Sequence, residues 1–552
     1  MVKKFFKQNW LLLLIIFLAA FLRLYRLGSI PPSLDWDETS IGYNAYSILK
    51  TGKDEYGSFL PFIFKSFGDY KPGLYIYLVV PLVAIFGLNE IAIRLPSALI
   101  GVASVWFVYQ TAMILFKKKP LALFVSLALA VSPWAIHFSR GAWESNLSLF
   151  LVLAGIFSFL KAETKKIKWL YLSAISFILA VFAYQSSKLF VPLLVLGLFL
   201  CFQKKIKTLP RKHLFINLAL TLVLALPIYW SIFSGSGGRL KVMSLFSYPR
   251  SSQETQQILK EDRGNQLSFQ LFHPETLSLT RGFLERYFNH FSGRFLFFEG
   301  DWSSLRHGPP YIGVLYFIDF FFLLIGSYWL IRQNSLSSKF IWFWLLISPL
   351  PAALSRDSIQ ATRSLNMVLP LIIIIGCGWY QTYLWLKNQK KAIYVLCSVF
   401  FVLSYLWCFI YYLDQYYIHY PSQSSQYWQY GYKNVVNEIY PIKDDYSKII
   451  FTQKWGQPYI YWLFYTQYSP EIYQQKARLT ENQWGDVGRI ERLDNIEFRE
   501  IYWPSDRNFS KSLFIGTEEE LPLHDIDPNQ ARVLEEIKFL NDKVAFRIVE
   551  TL

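Results

Sequence analysis

GLYIYLVVPLVAIFGL, Gly73 to Leu88, runs for sixteen residues without a charge, and whether it crosses a membrane decides the side on which every later segment lies. A hydrocarbon core about 30 Å thick is spanned by roughly 20 apolar helical residues, so length alone does not decide. The basic clusters do. Lys and Arg beside apolar runs mark the cytoplasmic side, and counting Gly73–Leu88 as a crossing would put the downstream cluster FKKKP, 116–120, outside. The run is therefore read as a helix lying along the outer surface.

The rest of the chain follows from that parity. At 53% hydrophobic and 17% charged over 552 residues, the composition excludes a soluble globular protein. Lys3, Lys4 and Lys7 precede an uncleaved anchor, Leu11 to Leu27, and are expected in the cytoplasm. The clusters KAETKKIK, QKKIKTLPRK, IRQNSLSSK and KNQKK each sit between apolar runs, as cytoplasmic turns do. The crossings that fit are 10–27, 94–116, 120–138, 145–161, 168–185, 189–202, 213–233, 311–331, 339–354, 365–386 and 392–413. Eleven crossings leave the C-terminus outside.

The expected fold class is mainly α: a polytopic membrane protein of about eleven transmembrane helices with a C-terminal extracytoplasmic α/β domain. Residues 1–413 form the membrane domain, with 28–93 as the first outward loop carrying the surface helix and 234–310 as a long outward loop. Residues 414–552 form the outer domain, where SKIIFTQ, SLFIGT and KVAFRIVE read as strands and YKNVVNEIY as a helix. That segment holds 15 Lys and Arg against 21 Asp and Glu, net −6, which leaves +22 for 1–413 within the total of +16. The basic balance is thus mostly membrane topology, and nucleic acid is not an expected partner. Cys201, Cys377, Cys397 and Cys408 fall in or at the ends of the spans, so neither disulfides nor a thiolate metal site is expected.

LDWDETSIGY, Leu34 to Tyr43, puts three carboxylates into the first outward loop. Asp35 can cap the following helix, with Glu38 completing a capping box three residues on. That leaves Asp37 unexplained. A carboxylate at a membrane-level cavity can act as general base, taking a proton from an acceptor hydroxyl that attacks a sugar, and Asp37 is the candidate. Neighbouring helical residues point about 100° apart, so Glu38 is expected to orient the site rather than face the same substrate.

Sugar transfer at this depth needs a leaving group, and a lipid-borne phosphate would require outward cations. Outward Lys and Arg are disfavoured near span ends, so each calls for a reason. Lys71 in GDYKPGLY is the leading candidate, with Pro72 suited to the first turn of the surface helix and the helix N-terminus adding positive potential. Its alternative is snorkelling to the headgroups, as it is for Lys188. Arg140 and Glu144 are four apart and can form an ion pair, or Arg140 can hold phosphate while Glu144 acts as a second carboxylate. Arg363 either anchors its helix or binds the phosphate. Asp69 and Tyr70 beside Lys71, and His307 in FEGDWSSLRHGPPY, are the candidates for substrate contact. A lone His near Asp301 and Arg306 is a weak metal signal; no metal ligands are assigned, and a divalent metal stays open as a cofactor.

LDWDE, GDYKPGLYIYLVVPLVAIFGLNEIAIRLPSALIG, SPWAIHFSRGAWESN and SPLPAALSRDSIQATRSLNMVLP together resemble the polytopic lipid-phosphate-sugar glycosyltransferases of the GT-C fold, especially the protein O-mannosyltransferases and the bacterial aminoarabinose transferase of lipid A. The resemblance covers most of 1–386. It implies that Asp37 is the catalytic carboxylate of the first loop and that Glu144, where aspartate is common, is the acidic position after the third span. Lys71 falls in a Lys-Pro-Pro-Leu motif, here Lys71-Pro72-Gly73-Leu74.

The function expected is an inverting glycosyltransferase moving a sugar (mannose or another hexose or pentose) from a polyprenyl-phosphate donor to a protein, lipid or glycan acceptor at the outer membrane face. A multipass transporter or flippase, or a polymerase or ligase of lipid-linked glycans, is the alternative. A transporter calls for ionisable residues near mid-membrane, and Asp319 is the clearest one.

Overall fold

The computed structural model describes residues 2–67, 69–233, 250–480 and 488–552. Its bulk is a bundle of apolar helices packed around one large core, and its C-terminal part carries a mixed sheet. The bundle begins with α1 (Val2–Leu24), followed by α2 (Trp36–Thr51), a hairpin of β1 (Ile63–Ser66) and β2 (Asp69–Pro72), α3 (Leu74–Phe86) and α4 (Glu90–Phe116). Then come α5 (Lys119–Val131), α6 (Pro133–Phe138), α7 (Glu144–Lys161), α8 (Lys168–Ala183) and α9 (Ser187–Cys201). Further long helices cover Arg211–Phe233, Asp319–Gln333, Leu336–Ile347, Val368–Lys387 and Lys391–Asp414.

Each of the eleven segments expected to cross contains a helix, and among the described residues five helical stretches are long and apolar enough to span: Glu90–Phe116, Glu144–Lys161, Leu336–Ala353, Leu365–Lys387 and Lys391–Ser424. The chain is a polytopic membrane protein. The last stretch carries its helical course past Leu413 to Ser424. The region expected as one long loop, 234–310, holds the helices Ser252–Glu261, Gln266–Phe272 and Glu275–Asn289, while 234–249 lies outside the described residues.

Helix ends inside such a bundle expose carbonyls that lipid cannot satisfy. Two buried arginines supply the donors. Arg23 donates to Leu129 O and Ala130 O at the end of α5, and Arg140 to Leu22 O, Tyr25 O and Ile30 O around the end of α1. Asp319, the clearest ionisable residue expected near mid-membrane, opens its helix: it accepts the Tyr316 N–H at 3.0 Å and the Tyr405 hydroxyl.

Within Gly73–Leu88 the helix is α3, Leu74–Phe86, 13 residues and about 20 Å long at 1.5 Å per residue. Tyr75, Ile76, Val79 and Val83 are buried against α2 and α4. Lys71 and Pro72 lie elsewhere than expected: they end β2, paired with Phe64 and Ile63 of β1, and the helix starts two residues later. Gly73 accounts for the departure from Lys-Pro-Pro-Leu. Its N–H donates to Phe62 O, which a proline could not do, and a Cβ there would overlap the buried Phe64 ring.

The C-terminal sheet has the order β6-β7-β3-β8-β10-β9, built from β3 (Lys448–Phe451), β6 (Arg492–Leu493), β7 (Ile496–Phe498), β8 (Ser512–Gly516), β9 (Ala531–Lys538) and β10 (Val544–Thr551). A two-stranded piece, β4 (Leu479–Thr480) with β5 (Arg489–Ile490), lies beside it. β3 runs parallel to both neighbours and the outer pairs are antiparallel. The helices Tyr432–Ile439 and Pro458–Tyr465 bury their apolar faces on this sheet, and Tyr43 of α2 and Phe67 of the hairpin join the same core. Sheet region and first loop are thereby packed together. Tyr43 donates to Tyr468 O, Tyr461 to Leu34 O, and Gln474 to Asp54 O.

Candidate active site

The three acids that open α2 go to three different surroundings. Asp35 is the N-cap, its Oδ1 accepting the Glu38 N–H at 2.7 Å, as the capping pattern requires. Its Oδ2 lies 3.0 Å from Arg306 Nη1. Burial pushes the Asp35 carboxyl up to about 6, with Arg306 opposing and Asp37 and Glu38 adding to the rise.

Glu38 does not complete the capping box. Its carboxylate turns into the bundle, where Arg94 Nε and Nη2 meet its two oxygens at 3.0 and 2.7 Å and the Ala142 N–H donates at 2.7 Å. Arg94 is fully buried and also donates to Leu27 O, Pro31 O and Ser33 O. This bidentate pair ties α2, α4 and the turn before α7 together. Glu38 is therefore held away from the opening that Asp37 faces.

Asp37 has a side chain 37% exposed. Lys71 Nζ pairs with its Oδ1, and Arg306 Nη1 lies 3.8 Å from its Oδ2. Lys71 reaches it from β2, with its ammonium 5.2 Å from the Phe67 ring centre. One half-exposed carboxylate thus stands between two cations that are themselves mostly covered, at 15% and 20% exposure.

Arg306 is held from several sides. Its carbonyl accepts from His137 Nε2 at 2.9 Å and from the Tyr420 hydroxyl at 3.3 Å, and its guanidinium lies over Trp143 at 5.6 Å. Next to it, His307 Nδ1 lies 2.8 Å from Asp301 Oδ2, which also accepts the Ala361 N–H at 2.8 Å. Burial alone would raise the Asp301 carboxyl, but His307 and Ser303 hold it below the usual range. His307 is buried behind Arg306 rather than open to the cleft, and its ring packs beside Trp143.

The remaining candidates distribute as follows. Glu144 is the first residue of α7, half-buried and two residues beyond Ala142. Lys188 is half-buried at the start of α9, in a turn whose Gln185 donates to Tyr70 O, so Lys188 and the exposed Tyr70 share the hairpin's side of the site. The Asp69 side chain lies outside the described part. Arg363 Nη1 meets Asp357 at 2.8 Å, two residues from the Ala361 that binds Asp301. Arg140 is not brought to the cleft: it is completely buried on the α1 carbonyls, and that geometry corrects its assignment to phosphate.

Two participants escaped the sequence reading. Arg306 carried the same signal as Arg363, an outward arginine at a span end. Glu55 carried none. It is fully buried under the hairpin, its Oε1 accepting from Asn44 Nδ2 at 2.9 Å and its backbone N–H donating to Asn44 Oδ1 at 3.0 Å, beside the hydroxyls of Tyr459 and Tyr56. Burial pushes it up to about 8, with Asn44 and Lys71 opposing and Asp54 adding. Among the described residues no three His, Cys, Asp or Glu side chains gather as a metal site, and Asp35 and Asp37 face cations instead.

Residues 70–230, less than a third of the chain, match the family described as Dolichyl-phosphate-mannose-protein mannosyltransferase. A Bacillus subtilis (strain 168) protein named "Putative mannosyltransferase YycA" is 28% identical over 228 residues, 40% of this chain and 31% of its own length. The match thus spans about a third of that relative. ArnT from Cupriavidus metallidurans superposes in its apo state with a TM-score of 0.52 at 11% identity, covering 99% of this chain and 98% of that one. ArnT bound to undecaprenyl phosphate gives 0.53 at 12%, covering 98% of each. The Archaeoglobus fulgidus oligosaccharyltransferase gives 0.50 at 12%, over 83% of this chain and 64% of its own. At such identities the likeness is one of fold. Over nearly all of its length the chain has the fold of ArnT. The stretch that matches the mannosyltransferase family, 70–230, begins at Tyr70 of the β1–β2 hairpin, beside Lys71.

Proposed function

We propose that this protein is an inverting glycosyltransferase that moves a sugar from a polyprenyl-phosphate donor to a protein, lipid or glycan acceptor at the outer face of a membrane. The observation that carries this is Asp37, a half-exposed carboxylate held between Lys71 and Arg306. As the acceptor hydroxyl attacks the anomeric carbon, Asp37 takes its proton, and the bond from that carbon to the phosphate oxygen breaks with its electron pair. Lys71 and Arg306 then stabilise the charge gathering on the departing phosphate. Both cations start on Asp37, so their transfer to phosphate frees the carboxylate to act as base. ArnT's structure with undecaprenyl phosphate supports a lipid-borne phosphate as the leaving group.

The same reading keeps all eleven crossings, the cytoplasmic N-terminus and 414–552 as an extracytoplasmic domain over 1–413. Support comes from the ends of α4: Arg94 at one end meets Glu38, while the basic turn at the other meets Trp329 and Tyr380 through Lys118. The flippase reading loses its main residue, since Asp319 serves as a hydrogen-bonded helix start.

The test is single-turnover transfer from polyprenyl-phosphate sugars by purified protein. Asp37→Asn should lower turnover at least about a hundredfold with donor binding largely kept. Near-normal transfer by that variant would remove Asp37 from the chemistry.

A further inference from the structure

The turn between α2 and β1 is well ordered by its own bonds yet turns its apolar side chains outward. Asp54 Oδ1 accepts the Tyr56 and Ser58 N–H groups, Leu60 N–H donates to Gly52 O, Gly73 N–H to Phe62 O, and the Tyr77 hydroxyl of α3 to Pro61 O. On this frame Phe59 and Phe62 are 72% and 81% exposed, with Leu60 beside them. The outer face of α3 continues the same surface with Leu78, Ile85 and Phe86, all exposed, in a helix without a charged residue. Exposed lysines, Lys50 and Lys53, stand at its rim, whereas the acids of the same turn, Asp54 and Glu55, are buried.

Aromatic side chains next to lysines on one face, with the acids withdrawn, match an anionic lipid–water interface. We infer that the 59–62 turn and the outer face of α3 insert into the outer leaflet of the bilayer as a fixed, membrane-embedded edge of the cleft. The inference deepens the proposed function: the turn leads through Gly73 and β2 to Lys71, so it sets the depth at which a lipid-borne phosphate meets the Lys71–Asp37 pair.

The experiment uses the full chain in lipid nanodiscs with its four cysteines changed to serine. An environment-sensitive fluorophore is placed at Phe62→Cys, and a control at Lys538→Cys on exposed β9. With phosphatidylglycerol carrying a nitroxide near the headgroup, emission at 62 should fall at least about twofold and that at 538 should not change. Lys50→Gln/Lys53→Gln should weaken the difference between anionic and zwitterionic discs. If the cysteine-free chain does not fold, Phe59→Ser/Phe62→Ser in the unaltered chain decides. It should raise KM several-fold for a long-chain donor and leave kcat and a short-chain, water-soluble donor unaffected. Absence of quenching at 62, or quenching that appears only when a polyprenyl phosphate is added, overturns the inference. Because quenching is read without turnover, its failure beside intact transfer would leave the glycosyltransferase reading standing.

Discussion

Glu38→Gln separates chemistry from architecture at the centre of the site. In the folded chain Arg94 is fully buried and donates to both Glu38 oxygens at 3.0 and 2.7 Å. Glutamine keeps one carbonyl oxygen, which can still take Arg94 Nε and the Ala142 N–H. Its amide group, however, faces Arg94 Nη2, donor against donor, and the buried guanidinium loses its counter-charge. Breaking a buried pair in this way costs about 3–5 kcal/mol. The variant should therefore melt several degrees lower in detergent, by fluorescence-detected size exclusion, while its folded fraction retains turnover within about tenfold of the parent. Arg94→Met added to Glu38→Gln should cost less than the two changes separately, by about 1–2 kcal/mol, since no charge is then stranded. An unchanged melting temperature with turnover down a hundredfold would refute the reasoning and make Glu38 a chemical participant.

Lys71→Met and Arg306→Met should each lose about 2–4 kcal/mol of transition-state stabilisation, read as kcat, with Arg363→Met intermediate and Lys188→Met smaller; equal, near-parental turnover in all four would sink the phosphate-holding role. Arg140→Met should act on folding yield rather than on turnover of the folded protein, since its donors serve α1 carbonyls. Glu55 gives a pH signature: its folded value near 8 lies above the ordinary 4.5, so the stability it contributes is full below about 4.5 and is lost as pH rises toward 8. Glu55→Gln should flatten the melting temperature against pH across that window, and an unchanged slope would contradict the assignment. Gly73→Pro, which restores Lys-Pro-Pro-Leu, should destabilise by about 1–3 kcal/mol through the Phe64 overlap, and Phe64→Ala should relieve part of it.

What the sequence showed depended on the range of the interaction. The Asp35 cap and the strands and helix of the C-terminal segment are local patterns, and they stand where the pattern put them. Each expected crossing contains a helix because a long apolar run is itself a local pattern. Arg306 was not legible, because its reason for facing outward is a pair of acids some 270 residues earlier in the chain. Arg94 was hidden for the opposite reason: it lies inside an expected span, and its partner Glu38, 56 residues earlier, read as a cap. Glu55 lies in a polar turn whose burial is created by Tyr459, a residue with no sequence signal connecting it to the first loop.

Helix α2 is walled by Ile93 on one side and Phe464 on the other, and Gly42 admits both, since a Cβ there would overlap each of them. The base of the proposed reaction is synthesised among the first forty residues, whereas that second wall is made over 400 residues later. Arg306, the second cation beside Asp37, likewise comes from far along the chain. The surroundings of the helix that bears Asp37 are thus assembled from both ends of the chain.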